Sequence, residues 1–339
     1  MPVSERILIV GPAWVGDMIM AGQLFRLLKA EDRGRELAVV APPATAPLLA
    51  FMPDVDRTET LAVRSGQGGL QARWHLGRRL AKAGYDRALV LPRSIKAALV
   101  PFFTGVPERI GYRGEPRWGL LTEARRFDRA AVPRSIDRFL ALGRPKGAAI
   151  PPLPGLRFEI PPKQIRYTCN NLGLSKPSRP LLALCPGAAY GPAKRWPAAH
   201  FAAVAAAWSA KGGAVWVFGQ EADREAGQEI EAAAPDSTHD LTGRTELTDA
   251  VALLSLADRV VANDSGLMHV AAALDKPLAA LYGSSTAVET PPLSDAATVL
   301  GLDLDCRPCR QRVCPLGHLR CLRDLTPEMV LAALDKGAR

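Results

Sequence analysis

"RILIVGPAWVGDMIMAGQLFRLLKAE", residues 6–31, opens with an apolar run, turns at Gly11 and Gly16, and continues as a helix whose buried faces carry Met18, Ile19, Leu24, Phe25, Leu27 and Leu28. A strand without polar alternation, followed by such a helix, is the repeating unit of a parallel sheet covered on both faces. The unit recurs. Similar runs stand at 36–41, 87–91, 181–187, 214–219, 259–266 and 278–283. Helical stretches lie between them, including 198–211 and 244–258, the latter with Thr245 or Thr248 as its candidate cap. The runs form two series, divided by "IPPLPGLRFEIPP" (150–162), whose prolines and Gly155 interrupt helix and strand alike. A chain of 339 residues also exceeds one ordinary core. The expected architecture is α/β, with two doubly wound Rossmann-like domains facing across a cleft. Their expected spans are 1–155 and 156–325, with a C-terminal helix at 326–339 packing back on the N-terminal domain. In such sheets ligands bind beyond the carboxyl ends of the strands, so chemistry is sought in the strand-to-helix turns.

The composition, 48% hydrophobic and 23% charged, suits a globular protein, and no apolar run nears the ~20 residues that cross a bilayer. The start "MPVSERILIVG" lacks the basic, apolar and small-residue zones of a signal peptide, so a cytoplasmic location and six reduced cysteines are expected. Net charge is +9, and its distribution is lopsided: residues 1–162 carry 25 Lys/Arg against 15 Asp/Glu, whereas 163–339 carry 18 against 19. A basic first half attracts an anionic partner: nucleic acid, an anionic membrane face or a phosphorylated substrate. The aromatic content of 6% and the lack of any nucleic-acid motif argue against the first.

Three turns carry the candidate chemistry. In "GPAWVGDMIM", Asp17 falls in the first helical turn, where an acid either complements the helix dipole or, at the mouth of a cleft, accepts a proton from a hydroxyl nucleophile. The glycine spacing is not that of a dinucleotide fingerprint, and a carboxylate there would repel a pyrophosphate. In "CPGAAYGPAKRWP" (185–197), Gly187 and Gly191 free the backbone, and Lys194 and Arg195 precede a helix, an arrangement suited to an anion. In "VVANDSGLMHVAAAL" (260–274), Asp264 or Ser265 stands at the cap position, Gly266 and Leu267 begin the helix, and His269 lies one turn in. Acids after the strand at 214–219, namely Glu221, Asp223 and Glu225, have the position of ribose ligands or of dipole-complementing residues. Glycine-bearing turns at several strand ends together suit a diphosphate-bearing ligand.

Taken together, "VGDMIM" (15–20), "PGAAYGPAKRWP" (186–197), "FGQEADREAGQEI" (218–230) and "NDSGLMHVAAAL" (263–274) resemble the ADP-heptose:lipopolysaccharide heptosyltransferases of glycosyltransferase family 9. The likeness spans essentially the whole chain. The segment 91–117 is closer to enzymes that add the second heptose than to those that add the first. The resemblance implies a GT-B fold and inverting transfer of L-glycero-D-manno-heptose from ADP-heptose to the first heptose of the lipopolysaccharide inner core. An enzyme adding the first heptose, or another family 9 transferase, is the alternative, and a non-catalytic nucleotide or nucleic-acid binder a more distant one. By motif match Asp17 is the general base and Lys194 neutralises the departing diphosphate, with Gly187 and the amides of Ser265, Gly266 and Leu267 around it. Asp264 would hold donor hydroxyls, with His269 nearby, and Glu221, Asp223 or Glu225 would contact the nucleoside. Arg93, Lys96, Arg109, Arg113 and Arg117 are the expected contacts to an acidic heptosyl-Kdo2-lipid A acceptor at an anionic cytoplasmic membrane face. A lysine and a helix terminus can meet the charge of ADP, and no obvious D-x-D pair stands at the expected cleft, so no metal or other cofactor is expected to be required.

"CRPCRQRVCPLGHLRC" (306–321) gathers Cys306, Cys309, Cys314 and Cys321 around His318. Its later gaps depart from zinc-ribbon spacing, which leaves zinc, free thiols or a labile disulfide open.

Overall fold

The computed structural model describes residues 4–63, 69–152 and 155–336. The chain divides into two compact units, Met1–Glu159 and Ile160–Arg339.

In the N-terminal unit, strands β1 (Arg6–Val10), β2 (Glu36–Ala41), β3 (Arg57–Thr60), β4 (Arg87–Val90), β5 (Glu108–Tyr112) and β6 (Glu123–Arg125) form one sheet in the order 3-2-1-4-5-6. Its pairings are parallel. Helices α1 (Val15–Glu31), α2 (Leu70–Leu80), α3 (Ile95–Thr104) and α4 (Ser135–Leu142) connect and cover it. The central strands are apolar because helices hide both faces; Ile7, Leu8, Ile9, Leu37, Val39 and Leu89 have no solvent exposure. The sequence reading missed β3, β5 and β6. The outer strands β3 and β6 are short and charged, "RTET" and "EAR", because an edge strand is covered less and tolerates polar side chains.

The C-terminal unit repeats the plan. Its strands are β7 (Leu181–Cys185), β8 (Ala214–Val217), β9 (Thr238–Asp240), β10 (Arg259–Asn263), β11 (Leu278–Leu281) and β12 (Ala297–Leu300), in the order 12-11-10-7-8-9. Around them lie α5 (Pro162–Leu172), α6 (Ala198–Ala210), α7 (Arg224–Ala233), α8 (Leu247–Leu254), α9 (Gly266–Ala273), the short α10 (Arg320–Arg323) and α11 (Pro327–Lys336). The cap of α8 is Glu246, in a reciprocal box with Asp249, and not either threonine suggested by the sequence.

Two expectations about connections change. The segment 150–162 includes residues 153 and 154, which lie outside the described set, but its later part is tied down. Leu156 and Phe158 are buried, Phe158 lies 6.0 Å from the Phe51 ring, and the amide of Glu159 donates to the Phe51 carbonyl. The C-terminal helix, expected on the N-terminal domain, instead sends Val330 and Leu334 into the core of the C-terminal unit beside Phe201 and Val204. Its apolar stripe completes the cover over that sheet.

In both sheets strand order reverses once, between β1 and β4 and between β7 and β10. Chain connections leave on opposite faces there, which opens a crevice at the carboxyl edge. On the β4 side, α2 and α3 cross closely at Gly77: a Cβ at that position would lie 2.5 Å from Phe103 Cβ and 2.9 Å from the Val100 carbonyl oxygen. Neither atom can step aside without moving a helix. Gly77→Val should therefore lower stability by roughly 2 kcal/mol, within the usual range for overpacking, seen as a lower midpoint in urea unfolding.

Candidate active site

The carboxyl edge of the C-terminal sheet is organised by Asn263, the last residue of β10. Its Oδ1 accepts the Trp196 amide at 3.1 Å and its Nδ2 donates to the Pro186 carbonyl at 2.6 Å, so one buried amide ties the turn after β7 to the end of β10. Trp196, buried, also donates its ring N–H to the Leu325 carbonyl at 2.8 Å. Between these fixed points the turn presents Lys194.

Lys194 Nζ lies 2.5 Å from Asp264 Oδ2, and Ser285 Oγ donates to the same oxygen. The cluster thus draws one side chain from the turn after each of β7, β10 and β11. Asp264 is only 5% exposed, which makes its ion pair with Lys194 the means by which a carboxylate is tolerated there. The Tyr190 ring centroid stands 5.0 Å from Lys194 Nζ and 5.3 Å from Arg312 Cζ, so two cations share one aromatic ring. No side chain caps α9, which begins beside Asp264; Ser265 occupies the cap position in extended geometry without a side-chain bond to the helix. First-turn amides left without a capping side chain give this edge positive potential.

Gly187 is demanded by Asp223: a Cβ would meet Asp223 Oδ2 at 2.3 Å. Asp223 is buried, accepts the Gln220 amide at 3.0 Å, and pairs with Arg195 at 3.4 Å. Of the three acids after β8, Asp223 therefore shapes the turn, whereas Glu221 and Glu225 are exposed. Hydrogen bonding to Arg224 holds the Glu221 carboxyl below its usual range. The sequence reading placed His269 beside the donor. It is buried beneath the turn, and desolvation lowers its pKa to about 4, so the imidazole is neutral.

The N-terminal reversal point holds Asp17 and the start of α3. Asp17 is half-buried in the first turn of α1, with Trp14 as the exposed cap residue. The five arginines and lysines expected at the acceptor divide. Arg93, Lys96 and Arg113 are exposed, with the Arg93 guanidinium 3.9 Å from the Phe127 ring centroid. Arg117 is instead buried, donating to the carbonyls of Pro92 at 2.9 Å, Ser94 at 3.1 Å and Tyr112. Arg109 is similarly engaged with the carbonyls of Leu120 and Val106. Both anchor loops, because a guanidinium's fan of donors satisfies several buried carbonyls at once.

The six cysteines are all free thiols. Cys306, Cys309, Cys314 and Cys321 line a cavity of about 20 Å³ with Ala193 and Ser284, directly behind the Lys194 turn. Backbone amides, that of Leu319 foremost, hold the Cys314 thiol below its usual range. Among the described residues no group of three His, Cys, Asp or Glu side chains is placed to hold a metal ion. The segment braces the turn through backbone and side chain: the Arg312 carbonyl accepts the Ala193 amide, the Arg310 carbonyl accepts the Tyr190 hydroxyl at 2.7 Å, and the Arg307 guanidinium donates to the Gly283 carbonyl at 2.7 Å. Ser285, Tyr190 and Arg312 were absent from the sequence-based set. The Ser-Ser pair following the strand at 278–283 was the available signal for the first of them.

Two doubly wound parallel sheets with their polar clusters at the strand-order reversals are the architecture of a GT-B glycosyltransferase. A profile described as glycosyltransferase family 9 (heptosyltransferase) matches residues 73–320, and the chain belongs to that family. Lipopolysaccharide heptosyltransferase 2 of Escherichia coli is 43% identical over 97% of each chain. The solved structure of E. coli ADP-heptose lipopolysaccharide heptosyltransferase II superposes with a TM-score of 0.87 at 41% identity, covering 98% of both chains. Lipopolysaccharide heptosyltransferase 1 of Pseudomonas aeruginosa is 26% identical over 96% of this chain and 93% of its own.

The buried neutral His269 makes stability pH-dependent. Its folded pKa of about 4 lies below the ordinary 6.5 of a histidine side chain, so the unfolded chain takes up a proton first as pH falls. Stability contributed by the neutral ring is present above pH 6.5 and lost as pH falls towards about 4, by up to roughly 3 kcal/mol. Denaturant unfolding from pH 7 to 4 should show a shallower loss for His269→Leu than for the wild type.

Proposed function

We propose that this chain transfers heptose from ADP-heptose to the lipopolysaccharide inner core, adding the second heptose to the first. The observation that carries the reading is the Lys194–Asp264–Ser285 cluster beside the amino end of α9, in a chain whose heptosyltransferase 2 relative is 43% identical over nearly its full length. The lower identity, 26%, to a heptosyltransferase 1 favours the second-heptose reaction.

The chemistry follows from charge. When the donor diphosphate enters, Lys194 turns from Asp264 to the phosphates, and the amides of Ser265, Gly266 and Leu267 share that charge. Asp264 and Ser285 are then available for donor hydroxyls. Gly187 gives backbone access at the same turn, and Glu221, exposed at the end of β8, contacts the ribose. The acceptor hydroxyl attacks the anomeric carbon opposite ADP, its proton passes to the Asp17 carboxylate, and the bond to the diphosphate oxygen breaks with its electron pair leaving on ADP. Inversion results from this single displacement. Arg93, Lys96 and Arg113 meet the phosphates and carboxylates of the acceptor core. That acceptor is anchored in lipid, so the enzyme works at a membrane surface.

Asp17→Asn should leave ADP-heptose affinity nearly unchanged and slow transfer by roughly 10²–10⁴-fold, the range for loss of a general base. Turnover near wild type would return Asp17 to a dipole-complementing role. Lys194→Ala should weaken ADP binding and slow transfer together, measured by calorimetry and by ADP release. Efficient transfer onto an acceptor that lacks the first heptose would overturn the second-heptose assignment.

A further inference from the structure

We infer that the outer face of α2 and α3, continued by the loop at 113–119, is a docking surface for an anionic lipid bilayer. The inference rests on the proposed lipid-anchored acceptor for its biological sense, and on the N-terminal unit for its physical content.

The two helices bury Arg73, Leu76, Gly77 and Leu80 on one side and Ala98, Val100, Pro101 and Thr104 on the other, so their remaining faces point away from the sheet. Those faces are not ordinary solvated surface. On α2, Leu70, Trp74 and Arg78 recur every four residues, and Trp74 is 45% exposed. On α3, exposed Ile95 and Phe102 flank half-buried Leu99. Close approach at Gly77 sets the two helices side by side. Trp118, 91% exposed, extends them: its loop is pinned to the start of α3 by the Ile95 amide on Glu115 and by Arg117 on the Ser94 carbonyl.

Charge decides the partner. Residues 70–118 hold ten Lys/Arg and three Asp/Glu. Arg78, Lys82, Arg93 and Lys96 take part in no ion pair among the described residues, although neighbouring Arg79 does, with Glu59. Exposed tryptophan and phenylalanine ringed by uncompensated cations is the composition of an interfacial membrane-binding face, with rings seated at headgroup depth and cations on anionic lipid. A protein partner with an apolar patch would leave those cations without counter-charges. Position agrees with use: α3 starts at the carboxyl edge of the sheet, where Asp17 also lies, so a bilayer on this face brings lipid-anchored sugars to that edge.

The test uses the full chain and sedimentation with vesicles of phosphatidylglycerol and phosphatidylethanolamine, against vesicles of phosphatidylcholine alone. Wild type should bind the anionic vesicles, with affinity falling as salt rises. Arg78→Glu with Lys82→Glu should weaken that binding by roughly 10- to 100-fold, and Trp74→Ser with Trp118→Ser by about tenfold. Both pairs should keep wild-type turnover on a water-soluble, delipidated acceptor and be slow on acceptor embedded in vesicles. Vesicle binding is read without any transfer assay, so failure of the proposed reaction and failure of the docking surface are separate results. Equal binding by wild type and variants, or indifference to lipid charge, overturns the inference. So does a wild-type dimer, seen by light scattering, that the tryptophan variant dissociates, since the face would then be an interface between copies.

Discussion

The ion pair between Lys194 and Asp264 is the constraint around which the C-terminal edge is arranged. Neither charge suits so enclosed a position alone, since desolvation penalises each, and together they are tolerated only with further hydrogen bonds, which Ser285 supplies. Such a pair is poor evidence of added stability. In the proposed reaction it acts as a stored polarity: two opposite charges kept at short range in a protected turn, which a ligand with both an anionic and a hydroxyl-rich end would separate. A nucleotide sugar has that pattern. His269 shares the same enclosure and stays uncharged for the same reason.

The central fold was legible because burial on two faces leaves an unmistakable trace. Runs such as "RILIV", "ELAVVA" and "LLALC" carry no alternation, and their separation by helices admits few architectures other than doubly wound sheets. Legibility fails at the margins. Strands β3, β6 and β9 are three or four residues long, half covered, and built from residues that also serve loops. The C-terminal helix could be recognised but not assigned a partner, since an amphipathic stripe says that a surface must be covered without saying which one.

The site divides in a similar way. Residues in strand-to-helix turns were readable, because the sheet determines where those turns go; Lys194 and Asp264 met as two such turns converged. Residues whose role depends on a rotamer or a distant neighbour were not. Arg117 and Arg109 belong to a strongly basic stretch and were expected to meet the acceptor, yet their guanidinium groups satisfy loop carbonyls. Tyr190 and Arg312 are 122 residues apart in sequence and face each other only in the fold. Asp223 was one of three plausible acids, separated from Glu221 and Glu225 by its contact with Gly187.

Asn263 has a consequence for how such a site can diversify. Its amide uses a donor and an acceptor on two different groups of one turn, so neither aspartate nor leucine reproduces it, and both ends of the cluster share a single tether. The ordering cost of the Lys194 turn is thereby met during folding. Substitutions at the rim near Tyr190 or Glu221 leave that tether in place. Altering the tether itself would loosen two turns in a single step.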